Sequence, residues 1–597
     1  MLTRPEALRG PVTATDPRLT ARRLAFFTVV LATMALLIWL LAVALSPGGL
    51  GVIDWILIIA FAVTLPWSVI GFWNATIGFV IMRFARDPVA VVLPAAAKAG
   101  PNDRIVRETA ILLCVRNEAP ERIVRNIEPL LKGLVDSGWH DAFHLFILSD
   151  TNMPEMAAQE QSVYGALGDK WGDDIAITYR RRSNNEGFKA GNIEDFCSQW
   201  GGDYSFAITL DADSFMTADA MLRLARIMQA DEKLGIVQAL VVGMPSTSAF
   251  ARVFQFGMRL GMRSYTTGSA WWQGDCGPYW GHNAIIRLAP FIAHCKLPKS
   301  ERKGVLGGHI LSHDQIEAVL MRRAGWEVRA LPDEAIGGWE ENPPTLLEFI
   351  RRDLRWCQGN MQYWQFIGLP GLKWVSRYQL AFALLMFVGS PAWMALLVFG
   401  TLGVALSPTP AAFIRPDAGG WLFAIILTMW FAPKIATVID VLSRAEARRA
   451  FGGGVRFVAS VVCETLFFIL LSPIMWFGHT LFLIGLFFGR AIGWIGQSRD
   501  DHAVPVAAAA AQLWPQTALG LGCMLVLALT APRALPYALF IAGGLIAAIP
   551  LAVITAIPGL GRVMARVGIG RLPEEVTTPK ELADLRLPAI EAAHSKQ

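Results

Sequence analysis

Apolar residues fall into two patterns along this chain. Long uncharged runs open it and dominate its last third, while short apolar runs between polar turns fill the middle. A membrane-crossing helix needs about 20 consecutive apolar residues. The runs 24–45 and 53–82 meet that length, and Arg83 and Arg86 close the second. Residues 84–375 hold no such run. Apolar stretches return at 379–406, 418–441, 456–489, 516–532 and 536–557. The stretch 456–489 contains Pro473 and exceeds one span, so it is read as two helices, which makes eight in all. The first run starts too far in, and runs too long, for a cleavable signal.

Arginine placement orients these helices, because cytoplasmic loops carry an excess of Lys and Arg. Arg22 and Arg23 precede the first helix; Arg83 and Arg86 follow the second. Arg444, Arg448, Arg449 and Arg456 form a third cluster, Arg490 and Arg499 a fourth, and Arg562, Arg566 and Arg571 a fifth. With eight helices, all five clusters face one side. Both termini and the middle domain are then expected in the cytosol. With seven, the C-terminus would flip. The expected organisation is a tail (1–23), two helices (24–83), a cytosolic domain with interfacial helices (84–375), six helices (376–557) carrying a cytosolic loop (490–514), and a cytosolic tail (558–597).

The middle domain alternates between two periods. Short apolar runs at 109–115, 143–150, 174–180 and 204–214 read as strands. A helical period runs through Ile123, Ile127, Leu130 and Leu134, and 188–200 reads as a second helix. Such alternation predicts an α/β fold with a mostly parallel sheet, inserted in the helical bundle. Ligands in such sheets bind beyond the carboxyl ends of the strands. Asn117, Glu118, Asp150, Asp211 and Asp213 all fall there.

Composition agrees with a membrane enzyme. The 597 residues are 54% hydrophobic and 17% charged, against about 25% charged in soluble domains. Disordered, collagenous and coiled-coil classes are excluded. The net charge of +5 is small and reads as topology-setting, so no nucleic-acid partner is expected. Seven cysteines without a CxxC point to reduced thiols rather than to disulfides or a zinc ribbon.

Chemistry concentrates in a few motifs. Asp211 and Asp213, two apart at a strand end, can share one hard cation such as Mg2+ or Mn2+ with substrate phosphates. Lys189 at a helix start suits a diphosphate, whereas Arg180, Arg181 and Arg182 read as solvated surface. Asp314 is either a helix cap or a general base. Arg352, Arg355 and Trp356 lie just before the third membrane helix, as an interface anchor or as a cationic and aromatic wall for sugar and phosphate. Trp271, Trp272, Tyr279 and Trp280 form a second aromatic cluster, suited to sugar stacking or to a core corner. No P-loop, HExxH or GxSxG occurs.

In order and spacing, Asp150, Lys189, Asp211, Asp213, Asp314 and the Arg352–Arg355–Trp356 box resemble processive family-2 glycosyltransferases of the cellulose-synthase type. The segments 209-TLDADSFM-216, 280-WGHNAIIR-287, 312-SHDQIEAVLMRRAGWEV-328 and 352-RDLRWCQGN-360 are similar to bacterial synthases of osmoregulated periplasmic glucans. The resemblance implies a GT-A-like cytosolic domain, the bacterial inner membrane, and glucose transfer from UDP-glucose to a growing β-1,2-glucan. It implies donor contacts at Asn117, Glu118, Asp150, Lys189, Asp211, Arg352 and Arg355. Asp211 and Asp213 would hold the cation, and Asp314 would be the base. Trp356, Trp280 and His282 would meet the acceptor. A periplasmic glucan-biosynthesis protein and acyl carrier protein become candidate partners, beside the lipid bilayer. Arg352 departs from the Gln of cellulose synthases, and no cyclic-dinucleotide segment follows the last apolar run. Trp393, Lys434, Asp440, Glu464 and His479 are candidates for a polymer path, and the loop 490–502 for a lid. The rival readings are a synthase of another β-polysaccharide and a transporter with a cytosolic ligand-binding domain.

Overall fold

The computed structural model describes Gly10 and residues 16–333, 337–493 and 499–594. Its α/β domain is built on two sheets. The larger has seven strands in the order β3-β2-β1-β4-β8-β6-β9. These are β1 (Thr109–Val115), β2 (Phe143–Ser149), β3 (Ala176–Arg181), β4 (Phe206–Asp211), β6 (Leu234–Ala239), β8 (Ala284–Arg287) and β9 (Glu327–Leu331). All pairings are parallel except those of β8, which runs against both β4 and β6. The smaller sheet joins β5 (Ser214–Met216), β10 (Gly338–Glu340) and β7 (Val242–Gly243).

Strand alternation makes two cores. Ile111, Leu113 and Val115 of β1 face the helix Pro120–Ser137, which turns Ile123, Ile127, Leu130 and Leu134 toward them. Ala110 and Leu112 face the other way, onto Phe196, Ile316 and Met321. Each such buried Leu or Ile contributes roughly 2 kcal/mol over its exposed state. Gly138, left-handed at φ 73°, ends the first helix.

Eight helices of spanning length are not found among the described residues. Among the described residues six helices are long and apolar enough to cross a membrane: Pro17–Ala44, Val52–Phe84, Trp374–Leu406, Pro416–Ser443, Gly454–Phe487 and Val506–Thr530. A pair bent by 51°, Pro532–Ile546 with Ala548–Thr555, is long and apolar enough when taken together. The expected hairpin at 456–489 is one continuous helix through Pro473. Proline can sit inside a membrane helix because neighbouring groups satisfy the freed carbonyl.

That helix returns to the α/β domain at both ends. Near its start Phe457 packs on Phe256, Val441 and Leu572. Mid-helix, Phe467 packs on Phe250 and Phe349. Near its end Leu486 packs on Cys357 and Met361. It also packs on the helix Trp374–Leu406 through the Trp393–Trp476 stack, so it sits between the domain and the bundle. The chain ends meet the domain too: Gly10 donates its N–H to the Ala324 carbonyl at 2.8 Å, and Leu582 and Ile590 pack on Phe215 and Trp339.

Candidate active site

Parallel register brings the expected residues together. Cys114 of β1 pairs with Asp211 of β4, and Val115 with Ser149 of β2, so three strands end at one edge. Asn117, just past β1, has φ 58°, an αL conformation that Asn tolerates better than most residues. Its backbone N–H donates to Thr151 Oγ1 at 2.8 Å, tying two strand ends together.

Lys189 sits at the centre. Its ammonium donates to Asp211 Oδ1 and, at 2.7 Å, to the Gly281 carbonyl. Burial alone would lower the Lys189 pKa, but the Asp211 carboxylate outweighs it and the net shift is upward. The same pairing outweighs burial on Asp211 and holds its carboxyl down. Gly281 has φ +82°, and a Cβ there would stand 3.4 Å from Asp314 Cβ and 3.7 Å from Lys189 Nζ. Asp314 is thus beside the Lys189–Asp211 pair. It is the first residue of its helix, not the cap, and its Oδ1 accepts the Gln315 N–H at 3.0 Å. Tyr363 Oη lies 3.5 Å from the same oxygen.

Asp213 meets the Arg499 guanidinium at 2.6 Å. Arg499 also donates to the Glu341 carbonyl at 2.8 Å. Residue 499 belongs to the expected lid, whose Gln497 lies outside the described residues. A positive group thus already stands at this carboxylate. Among the described residues no three His, Cys, Asp or Glu side chains cluster closely enough to hold a metal by themselves. The donor set fits a cation that Asp211 and Asp213 share with a ligand's phosphates. Glu118 lies nearby. Burial pushes its carboxyl up to about 8, the Arg116 N–H opposes the rise, and Asp213 adds to it.

Asp150 is buried and not open to a ligand by itself. Arg182 grips both its oxygens at 2.7 Å. The expectation that Arg180 to Arg182 form solvated surface holds for Arg181, which is exposed, and is corrected for the other two: Arg180 pairs with Asp195 at 2.9 Å, and the Arg182 side chain is 9% exposed. The signal was available, because Arg182 lies just past a strand end, like every other group at this edge.

The box helix Leu346–Met361 closes the site. Arg352 is buried, donates to Asn342 Oδ1 at 3.2 Å and lies over the Trp356 ring at 4.8 Å. Arg355 is half-buried and has no carboxylate partner among the described residues. Burial lowers its pKa, and Arg352 and Arg499 lower it further. A cationic corner of this kind suits a leaving diphosphate. Trp356 is 46% exposed beside it.

The second aromatic cluster divides. Trp272 is fully buried, stacks on Phe26 at 4.5 Å and donates to Asn74 Oδ1 at 2.9 Å. Tyr279 is buried and reaches Thr209 Oγ1 at 3.2 Å. These rings are core and seam, not a sugar platform. Trp280 is half-buried, with its backbone N–H on Gln238 Oε1 at 2.7 Å. His282 turns to Ser214 Oγ at 3.1 Å and lies 3.8 Å from Glu340, on the carboxylate side of the site.

The candidate path residues also separate. Lys434 pairs with Glu464 of another helix, and Asp440 pairs with Arg444 at the end of its own helix and lies 3.9 Å from Arg83 of a second one. Trp393 and His479 line a cavity of about 210 Å³ in the bundle, with Trp67, Trp476, Ser390 and Ser472. Trp393 and Trp476 stack at 4.6 Å. His479 joins Ser390 Oγ at 3.0 Å to Asp353, the residue after Arg352. The cavity therefore opens behind the box.

Two family models match the domain: residues 206–439 match Glycosyl transferase family group 2, and residues 110–294 match Glycosyl transferase family 2. The chain is similar to glucans biosynthesis glucosyltransferase H of Vibrio cholerae, at 36% identity over 89% of this chain and 74% of that one. It is 32% identical to the protein of that name from Xanthomonas campestris pv. campestris, over 92% of this chain and 87% of that one. Among solved structures, a mannosyltransferase from Pyrobaculum calidifontis in complex with GDP-Man and Mn2+ superposes with a TM-score of 0.42 at 16% identity, over 66% of this chain and 99% of that one.

Proposed function

From the premise that this chain belongs to the glucans biosynthesis glucosyltransferase H family, and is a family-2 glycosyltransferase with a GT-A-like domain, we propose that it polymerises glucose from UDP-glucose. The product is the β-1,2-linked backbone of osmoregulated periplasmic glucans. The observation that carries this reading is the convergence of Lys189, Asp211 and Asp314 around Gly281, with Arg355 in electrostatic reach of Asp213.

The reaction is a single displacement. Asp314 accepts the proton of the acceptor hydroxyl. The acceptor oxygen bonds to the anomeric carbon as the bond from that carbon to the UDP oxygen breaks. The electron pair leaves with UDP, and the α-linked donor becomes a β-linked product. Lys189 and Arg355 hold the diphosphate and offset its charge. A divalent cation, Mg2+ or Mn2+, would be held by Asp211 and Asp213 and would supply further charge stabilisation there. The catalytic domain faces the cytosol of the inner membrane. The growing chain leaves through the Trp393–Trp476 cavity, whose stacked rings and hydroxyls suit a sugar.

Labelled UDP-glucose with Mg2+ tests this. Wild type should release UDP and form a β-1,2 polymer, and Asp314→Asn should lose about three decades of rate. A wild-type protein that releases UDP from no UDP-sugar would overturn the reading. A β-1,4 polymer would point instead to a cellulose-like product.

A further inference from the structure

The C-terminal segment is part of the α/β domain, and its place suggests what it does there. The smaller sheet is minimal, with strands of three, three and two residues. Strands this short do not hold an independent sheet without packing on one face. Side chains alternate across a strand. Trp339 of β10 pairs with Phe215 of β5 and Val242 of β7, and all three are buried with Met244 against Leu582, Leu585, Leu587 and Ile590. The next residues along, Ser214 and Glu340, also pair, and both face His282. Beyond them, Glu341 donates its N–H to the Asp213 carbonyl at 3.1 Å, and Arg122 grips its carboxylate at 2.7 Å. One face of this sheet is thus the tail's, and the other is the carboxylate edge of the site.

The tail is also fastened upstream. Glu575 takes both guanidinium nitrogens of Arg252, at 2.6 and 3.0 Å, with neither side chain exposed. Glu574 pairs with Arg259 at 2.9 Å. Two buried ion pairs are a firm anchor for a chain terminus, where order is usually lost.

We propose that residues 571–594 form a positioning clasp for the donor site. They hold the back of the β5–β10–β7 sheet, and through Trp339 and Glu341 they fix where Asp213 stands. The proposal rests on the donor site described above. It makes Leu582 and Leu585 positioning residues, although neither touches substrate.

The test is calorimetric binding of UDP with Mg2+ to the full chain in detergent, with initial rates alongside. The variant Leu582→Ala/Leu585→Ala should bind UDP with Mg2+ about tenfold more weakly. Its donor KM should rise in step while kcat stays near wild type. Lys580→Ala, on the exposed side of the tail, should match wild type throughout. Should the double variant not assemble, Leu582→Val carries the same expectation at about threefold. Wild-type affinity and KM in the Leu582 variants, with only a lower unfolding temperature, would overturn the clasp and leave a stabiliser. Absence of UDP binding in wild type would overturn the donor site, and the clasp with it.

Discussion

At the scale of single residues, the site matches charge with charge: Lys189 with Asp211, Arg499 with Asp213 and Arg182 with Asp150. Arg182 shows why the partner matters. Its planar fork matches the Asp150 carboxylate, and a lysine offers only a point charge. Arg182→Lys should raise the donor KM about tenfold, worth ~1.4 kcal/mol, with kcat held. Steady-state kinetics in UDP-glucose checks this; an unchanged KM would make the pair structural. His313, next to the base, gives a pH signature. Burial alone would lower its pKa, but Glu317, 2.8 Å away, outweighs it and the net shift is upward. A raised folded value means that the pair's stabilisation is complete below the ordinary value of about 6.5 and fades as pH rises through the folded one. The unfolding midpoint should therefore fall as pH rises above about 6.5 in wild type, and fall less in Glu317→Gln.

At the scale of elements, the helix Gly454–Phe487 decides the topology. Its hydropathy is that of a span, yet its start, middle and end all pack on elements of the α/β domain. We propose that it lies along the domain face, which would keep the flanking loops on one side, as a hairpin would. The five arginine clusters would then share one side. Val455 and Phe488 are both exposed at its two ends. Cysteines placed at these positions should both react with an impermeant thiol reagent from the side that labels the α/β domain. Reaction of one from each side would mean that the helix crosses.

At the scale of the whole molecule, the ends of the chain are bound into the enzyme. The Arg252–Glu575 pair joins the domain to the segment after the last membrane helices, with no exposed surface on either side chain. Removing one partner leaves an uncompensated buried charge, which costs about 3–5 kcal/mol. Glu575→Gln should lower the unfolding midpoint markedly, and Arg252→Met with Glu575→Leu should recover most of the loss. Equal losses in both would show that the pair, and not only its packing, is needed. The N-terminal side is tied in the same way, with Asp275 held between Arg23 and Arg322.

Local order was legible in the sequence. The strand 109–115, the helix from Phe188 and the carboxylates at strand ends follow from hydrophobic period, which depends only on neighbours along the chain. So does the grouping of Asp150, Asp211 and Asp213, because parallel strands place their ends together; Lys189 and Asp314 start helices and were joined to them only by the family resemblance. Other features needed the tertiary structure. Hydropathy cannot separate one long helix from two shorter ones in an uninterrupted apolar run, since a proline can sit inside a membrane helix; hence Gly454–Phe487. It cannot tell a ring that stacks on sugar from one that stacks on Phe26, hence Trp272. Nor can it pair charges far apart in the chain. Arg499 on Asp213, Asp353 on His479 and Glu575 on Arg252 are set by how the bundle, the domain and the tail meet. Those distances depend on the packing of whole elements rather than on any local pattern.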